Sequence, residues 1–128
     1  MALTNSVDIS SPKSGENTWL WLVKIFTGLL LIILITIHLI VNHLVAETGL
    51  LNYADVIAYY RNPLIPIMEI FFLAAVVTHS LIGLRSIILD LKPSRRILKA
   101  IDWLLVVGGI LVVLYGTWLA LTVASRGV

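Results

Sequence analysis

Three long apolar stretches constrain this chain more than any other feature. They cover residues 19–45, 64–89 and 97–124. A helix needs about 20 residues to cross a hydrocarbon core of about 30 Å, and each stretch exceeds that. The surplus length goes into tilt or protrusion. Inside a bilayer no water is available to satisfy backbone N–H and C=O groups, so each stretch is predicted to be a helix. Composition agrees: 59% of the 128 residues are hydrophobic and 12% are charged, against about 25% charged in an ordinary soluble domain. The expected fold is therefore an all-α membrane protein, with three transmembrane helices within residues 19–128 behind a polar tail at 1–18. The lipid bilayer is its first partner, and no nucleic-acid partner is expected. The chain has no cysteine, so it can supply no disulfide, thiolate ligand or iron–sulfur cluster.

The tail, MALTNSVDISSPKSGENT, carries Asp8 and Glu16 and a single base, Lys13. A mitochondrial transit peptide would be Arg-rich and poor in acids. The apolar run that follows is too long for a secretory signal, so the first helix is expected to be retained. Orientation follows from the bases. Lys92, Arg95, Arg96 and Lys99 crowd the loop between the second and third stretches, whereas the loop between the first and second has Glu47, Asp55 and a lone base, Arg61. Basic loops stay on the cytoplasmic side. The N-terminus and residues 91–99 are therefore expected inside, residues 46–63 and the C-terminus outside. The outer loop is patterned: Leu51, Ala54, Val56, Ile57 and Tyr60 suit a short amphipathic helix, and Tyr53, Tyr59 and Tyr60 suit the interface.

His38, Glu69, His79 and Arg85 fall inside the apolar stretches. A charged side chain near the bilayer centre costs roughly 2.5–3.5 kcal/mol or more and usually faces protein or a cavity. His79 has two readings. It can donate a hydrogen bond to a neighbouring helix, or it can ligate heme iron, for which neutral imidazole is a common ligand. Gly83, four residues on, lies on the same helix face and leaves room for a flat macrocycle. Arg85 lies nearly two turns toward the inside, where it could pair with a propionate. His38 can equally touch water near the outer end of its helix, and His43 is expected at the interface. At about 1.5 Å per residue, His38 lies about 10 Å below the outer end and His79 about 24 Å below it. One iron cannot bridge that difference, so each histidine needs a partner ligand from another subunit. Thr27-Gly28, Gly108-Gly109 and Gly116 permit close helix approach.

The segment HSLIGLRSIILD resembles the second transmembrane helix of the cytochrome b membrane anchor subunits of succinate dehydrogenase, respiratory complex II. That helix carries His, then Gly four residues on, then Asp eleven on; here these are His79, Gly83 and Asp90. The likeness continues through TGLLLIILITIHLIVNHLV and YADVIAYYRNP to a basic turn and a third helix, roughly residues 18–124, and is greatest to the D-type anchor of bacterial or archaeal enzymes. The resemblance implies a subunit of succinate:quinone oxidoreductase, an enzyme of the tricarboxylic acid cycle. This chain would form half of a heterodimeric heme-binding helix bundle in the plasma membrane. Its partners would be a second membrane anchor, an iron–sulfur subunit, a flavoprotein subunit and quinone, and the succinate chemistry would lie outside this chain. It further implies that His79 ligates heme b, that His38 matches the ligand of a second heme in two-heme members, and that Asp90, Thr27 and Lys24 are candidates for the quinone site. Two places depart from the family pattern. Leu91 stands where several relatives have a quinone-bonding tyrosine, and Lys24-Ile25-Phe26-Thr27-Gly28 stands where Arg-x-Ser-Gly is common. A reading from another class is a heme-free membrane accessory or assembly protein, in which His79 and Arg85 make a polar helix–helix contact.

Overall fold

The computed structural model describes residues 17–44 and 52–126. It is all helical: α1 (Thr18–Leu39), which passes into a π-helical turn (Ile40–Leu44), α2 (Tyr53–Tyr60), α3 (Leu64–Asp90) and α4 (Arg95–Ser125). Among the described residues, α1, α3 and α4 are each long and apolar enough to cross a membrane. The polar tail and Glu47 lie outside the described residues.

Local sequence accounts for the boundaries. The Asn17 side chain accepts from the Trp19 N–H at 3.0 Å and so caps α1, satisfying one of the orphan donors of a helix start. Asn52 and Asp55 form a reciprocal capping box on α2. The expected amphipathic helix of the outer loop is this element, with Leu51 outside the described residues. Pro66 lies in the first turn of α3, where a missing N–H removes no intrahelical bond. At the other end of α3, Lys92 takes a left-handed conformation with φ 49°, and its N–H closes on the Leu89 carbonyl at 3.0 Å. Pro93 then prevents continuation. The Ser94 hydroxyl accepts from Ile97 N–H, so α4 starts at Arg95, two residues earlier than the hydropathy of the third stretch suggests.

The helix α3 is central. It packs on α1 along one side and on α4 along the other, and α1 and α4 flank it without packing on each other. Among the described residues, the buried positions are small: Thr27, Ala75, Ser86, Gly109 and Ala120, with Pro66 at the start of α3. Small residues let backbones approach where lipid supplies no hydrophobic drive between helices. A Cβ on Gly109 would strike Leu81, and one on Gly116 would strike Leu73, so both glycines are contact points of α4 on α3. Many large side chains face outward instead, including Phe26, Ile32, Phe71 and Trp103. Outward apolar residues of this kind suit lipid or a second helical subunit. At the end where α3 begins, α2 rests against α3 and α4, and Arg126 donates to the Tyr53 hydroxyl at 3.5 Å.

Candidate functional site

Two polar clusters lie along the seam between α1 and α3. The inner one is built around His79. Its Nδ1 is 3.1 Å from the Lys24 carbonyl oxygen and 3.2 Å from Thr27 Oγ1. Thr27 is buried, and its hydroxyl points back into its own helix, donating to the Val23 carbonyl at 2.7 Å. A carbonyl oxygen can only accept, so Nδ1 carries the proton. In a neutral imidazole the lone pair then lies on Nε2. A histidine so held could offer Nε2 to a metal, since metal-ligating histidines commonly tie the other ring nitrogen to a carbonyl or similar acceptor; it equally makes a polar contact between α3 and α1. Gly28 makes it sterically possible, because a Cβ there would lie 3.0 Å from His79 Cε1. One turn inward, Lys24 Nζ donates to Ser86 Oγ at 3.3 Å. Asp90 follows at the exposed inner end of α3.

The outer cluster is built around His38. Its Nδ1 lies 3.3 Å from Glu69 Oε1, and its ring stacks on Phe72 with centroids 5.0 Å apart. Both partners come from α3, so this seam explains why Glu69 is tolerated at membrane depth. The two clusters face each other in reverse: His38 reaches from α1 to α3, and His79 reaches from α3 to α1. Thr27 and His38 are about 16 Å apart along α1 at about 1.5 Å per residue, so the two imidazoles sit at different depths, as the sequence geometry predicts. Thr36 bonds the Ile32 carbonyl of its own helix at 2.7 Å rather than His38; the Asn42 side chain lies outside the described residues. His43 is exposed, in the π-helical turn. Near Glu69, the Tyr59 hydroxyl of α2 is buried with no hydrogen-bond partner among the described residues. Burial and then the Glu69 charge push its pKa up to about 12.

Arg85 turns the other way, toward α4. Its Nε donates to Asp102 Oδ1 at 2.7 Å and its Nη2 to Oδ2 at 3.3 Å. This fork engages the side chain that the sequence assigns to a propionate, although two donors of five are used. The pair closes the polar end of an open apolar groove of about 660 Å³ between α3 and α4, lined by Thr78, Leu81 and Gly109 among others. The structure thus sends His79 and Arg85 to different helices; they do not form one shared contact. A Cβ on Gly83 would meet nothing within 4 Å, so that face of α3 is open beside the histidine, as the sequence reading requires.

Sequence reasoning passed over Asp102, Ser86 and Phe72. Asp102 had a usable signal, a lone acid inside the third apolar stretch, but it sits near the basic end of that stretch and reads as interfacial. Ser86 and Phe72 have no signal in one sequence. Among the described residues, no three His, Cys, Asp or Glu side chains converge on a metal-sized site.

A family model described as succinate dehydrogenase/fumarate reductase transmembrane subunit matches residues 4–117. The chain belongs to this family. It is 32% identical over 117 residues to the succinate dehydrogenase hydrophobic membrane anchor subunit of Archaeoglobus fulgidus, covering 91% of this chain and 99% of that one. It is 31% identical over 102 residues to the protein of the same description from Thermoplasma acidophilum, covering 80% of this chain and 83% of that one. No solved structure matches. A transmembrane subunit of this family is a multi-pass membrane protein, and the three long apolar helices meet that requirement. The α1–α3 seam carries the two histidine clusters, and the α3–α4 seam carries the Arg85–Asp102 pair.

Proposed function

We propose that this succinate dehydrogenase/fumarate reductase family subunit anchors a succinate:quinone oxidoreductase in the plasma membrane and ligates heme b through His79 Nε2, opposite a histidine of a second membrane anchor. The observation that carries the reading is the His79 ring itself. Two acceptors hold the proton on Nδ1, which leaves the nitrogen suited to iron pointing away from them. When bound, heme supplies a one-electron redox centre inside the bilayer. The chain's own contribution is to orient His79 and to keep the face beside Gly83 open; Arg85, forked onto Asp102 of α4, keeps N–H donors to spare for a propionate.

The iron–sulfur and flavoprotein subunits dock on the inner face, over residues 18–24 and 90–99, where Arg95, Arg96 and Lys99 offer positive charge to an acidic surface. The N-terminus is cytoplasmic and the C-terminus outside. Quinone binds near the same face, with Lys24 and Asp90 as the polar candidates. Thr27 also faces the seam there, but its hydroxyl proton is committed to the backbone. His38 holds a second, outer heme with a histidine of the partner anchor. Glu69 on Nδ1 plays the part that a carboxylate plays behind many metal-bound imidazoles.

The test is heme stoichiometry by pyridine hemochrome on the intact complex. The reading expects two b-type hemes per anchor pair. His79→Ala should remove the inner heme and His38→Ala the outer one, each halving the content. One heme per pair, lost in His79→Ala and retained in His38→Ala, would return His38 to an ion-pair role with Glu69. The competing reading, a heme-free accessory, draws on the fact that His79 and Arg85 both find partners within the chain; it requires a colourless complex.

A further inference from the structure

We infer that Thr27 and Gly28 of α1 form the positioning element for the His79 imidazole and thereby set its donor strength. Neither residue touches the iron in this scheme; both act through the histidine. The inference rests on the reading that His79 ligates heme.

Proton accounting carries the first half. Thr27 has one hydroxyl hydrogen. The Val23 carbonyl takes it at 2.7 Å, a shorter contact than the 3.1 Å to the Lys24 carbonyl. A lone pair of Thr27 Oγ1 is thereby left facing His79 Nδ1 at 3.2 Å. The Lys24 carbonyl faces the same nitrogen. Nδ1–H is thus held between two neutral oxygens. Turning the ring over would place a C–H on both and lose the bond, so one tautomer and one ring orientation are selected. The Lys24 contact is backbone, and only Thr27 can be tuned by substitution.

Steric clearance carries the second half. Glycine inside a helix is unfavourable relative to alanine, and Gly28 is in the interior of α1. A Cβ there would lie 3.0 Å from His79 Cε1 and 3.5 Å from Nδ1. The Cε1 corner of the ring crowds the place where a methyl group would be. Gly28 therefore determines how closely the imidazole approaches α1, and hence whether Nδ1 can reach its acceptors. A hydrogen bond from Nδ1–H raises the basicity of the ligating nitrogen, and a more basic ligand favours ferric over ferrous iron.

The experiment uses the purified intact complex with wild-type chain, Thr27→Val, Thr27→Ser and Gly28→Ala. Redox titration, low-temperature EPR of the ferric heme and heme retention on dilution are read for each. Thr27→Val keeps the shape and removes the acceptor. Its inner heme should titrate at a higher midpoint potential and dissociate roughly 10-fold more readily. Thr27→Ser should restore both. Gly28→Ala should shift the EPR g-values or lower the inner-heme content. A Thr27→Val complex with wild-type potential and retention overturns the inference and makes Thr27 a packing residue. A heme-free wild-type complex overturns the ligand reading instead. In that case nitrogen-15 NMR of His79 still decides the positioning claim: protonation on Nδ1 in the wild type and a shifted Nδ1 resonance in Thr27→Val, where the Lys24 carbonyl alone remains as acceptor, support it, and identical spectra refute it.

Discussion

Arg85 and Asp102 join α3 to α4 by a fork with distances of 2.7 and 3.3 Å. At an effective dielectric of 20, two unit charges at that separation attract by about 5–6 kcal/mol before desolvation is subtracted. An exposed pair nets about 0–1 kcal/mol, whereas removing one partner of a fully buried pair costs about 3–5 kcal/mol, because a charge is left unpaired. Here the side chains are 19% and 37% exposed in the isolated chain, and the groove beside them is apolar. Arg85→Met should thus destabilise the packing of α4 on α3 by about 2–3 kcal/mol. Asp102→Asn should cost about the same, since it strands the guanidinium. Arg85→Met combined with Asp102→Asn should recover about 2 kcal/mol of the sum, because no charge remains to be stranded. Unfolding by SDS titration in mixed micelles measures this, with fluorescence of Trp103, the neighbour of Asp102, as the probe. Strict additivity of the two single substitutions would refute the argument and reduce the pair to a surface contact.

The glycines of α4 offer a second test: Gly116→Leu should separate α4 from α3 and cost about 2 kcal/mol or more by overpacking, whereas Gly108→Ala, where a Cβ meets nothing within 4 Å, should be neutral or stabilising by up to about 1 kcal/mol in the same titration. Tyr59 should make stability fall from about pH 10 to about pH 12. Its pKa rises from 10.0 to about 12 on folding, so in that window the unfolded chain loses a proton that the folded one keeps, and alkali favours unfolding. Tyr59→Phe should lessen that fall, Tyr60 keeping its own raised pKa through burial and then the Glu69 charge, and cost nothing at neutral pH, because the hydroxyl is buried with no partner among the described residues; a large loss at pH 7 would mean that the hydroxyl is bonded. Finally, Lys92→Gly should raise stability by about 1 kcal/mol by relieving the left-handed backbone at φ 49°, and a fall on thermal denaturation would contradict this.

Much of the candidate site was readable from residue types alone. His79 with Gly83 four residues on, the bases at residues 92–99, and the difference in depth between His38 and His79 all follow from spacing along helices of known rise. Partners across helices did not follow. The spacing of Arg85 to His79 on α3 was visible, and its partner Asp102 on α4 was not. Thr27 looked like a quinone residue for the same reason; in the fold its hydroxyl serves the backbone and His79.

Local sequence is enough to establish three spanning helices, their extent to within a few residues, and the ionisable groups inside them. These are local properties: apolar length against bilayer thickness, side-chain oxygens that cap helix starts, and prolines that bar continuation. Only the tertiary structure decided that α3 lies between the other two, that His79 faces α1 while Arg85 faces α4, and that Glu69 answers His38. The physical reason is that a spanning helix in lipid can turn any face toward its neighbour at little hydrophobic cost. The rotation and register are then set by a few small residues and polar contacts: Gly28 under the His79 ring, Gly109 and Gly116 under leucines, and Asp102 across from Arg85.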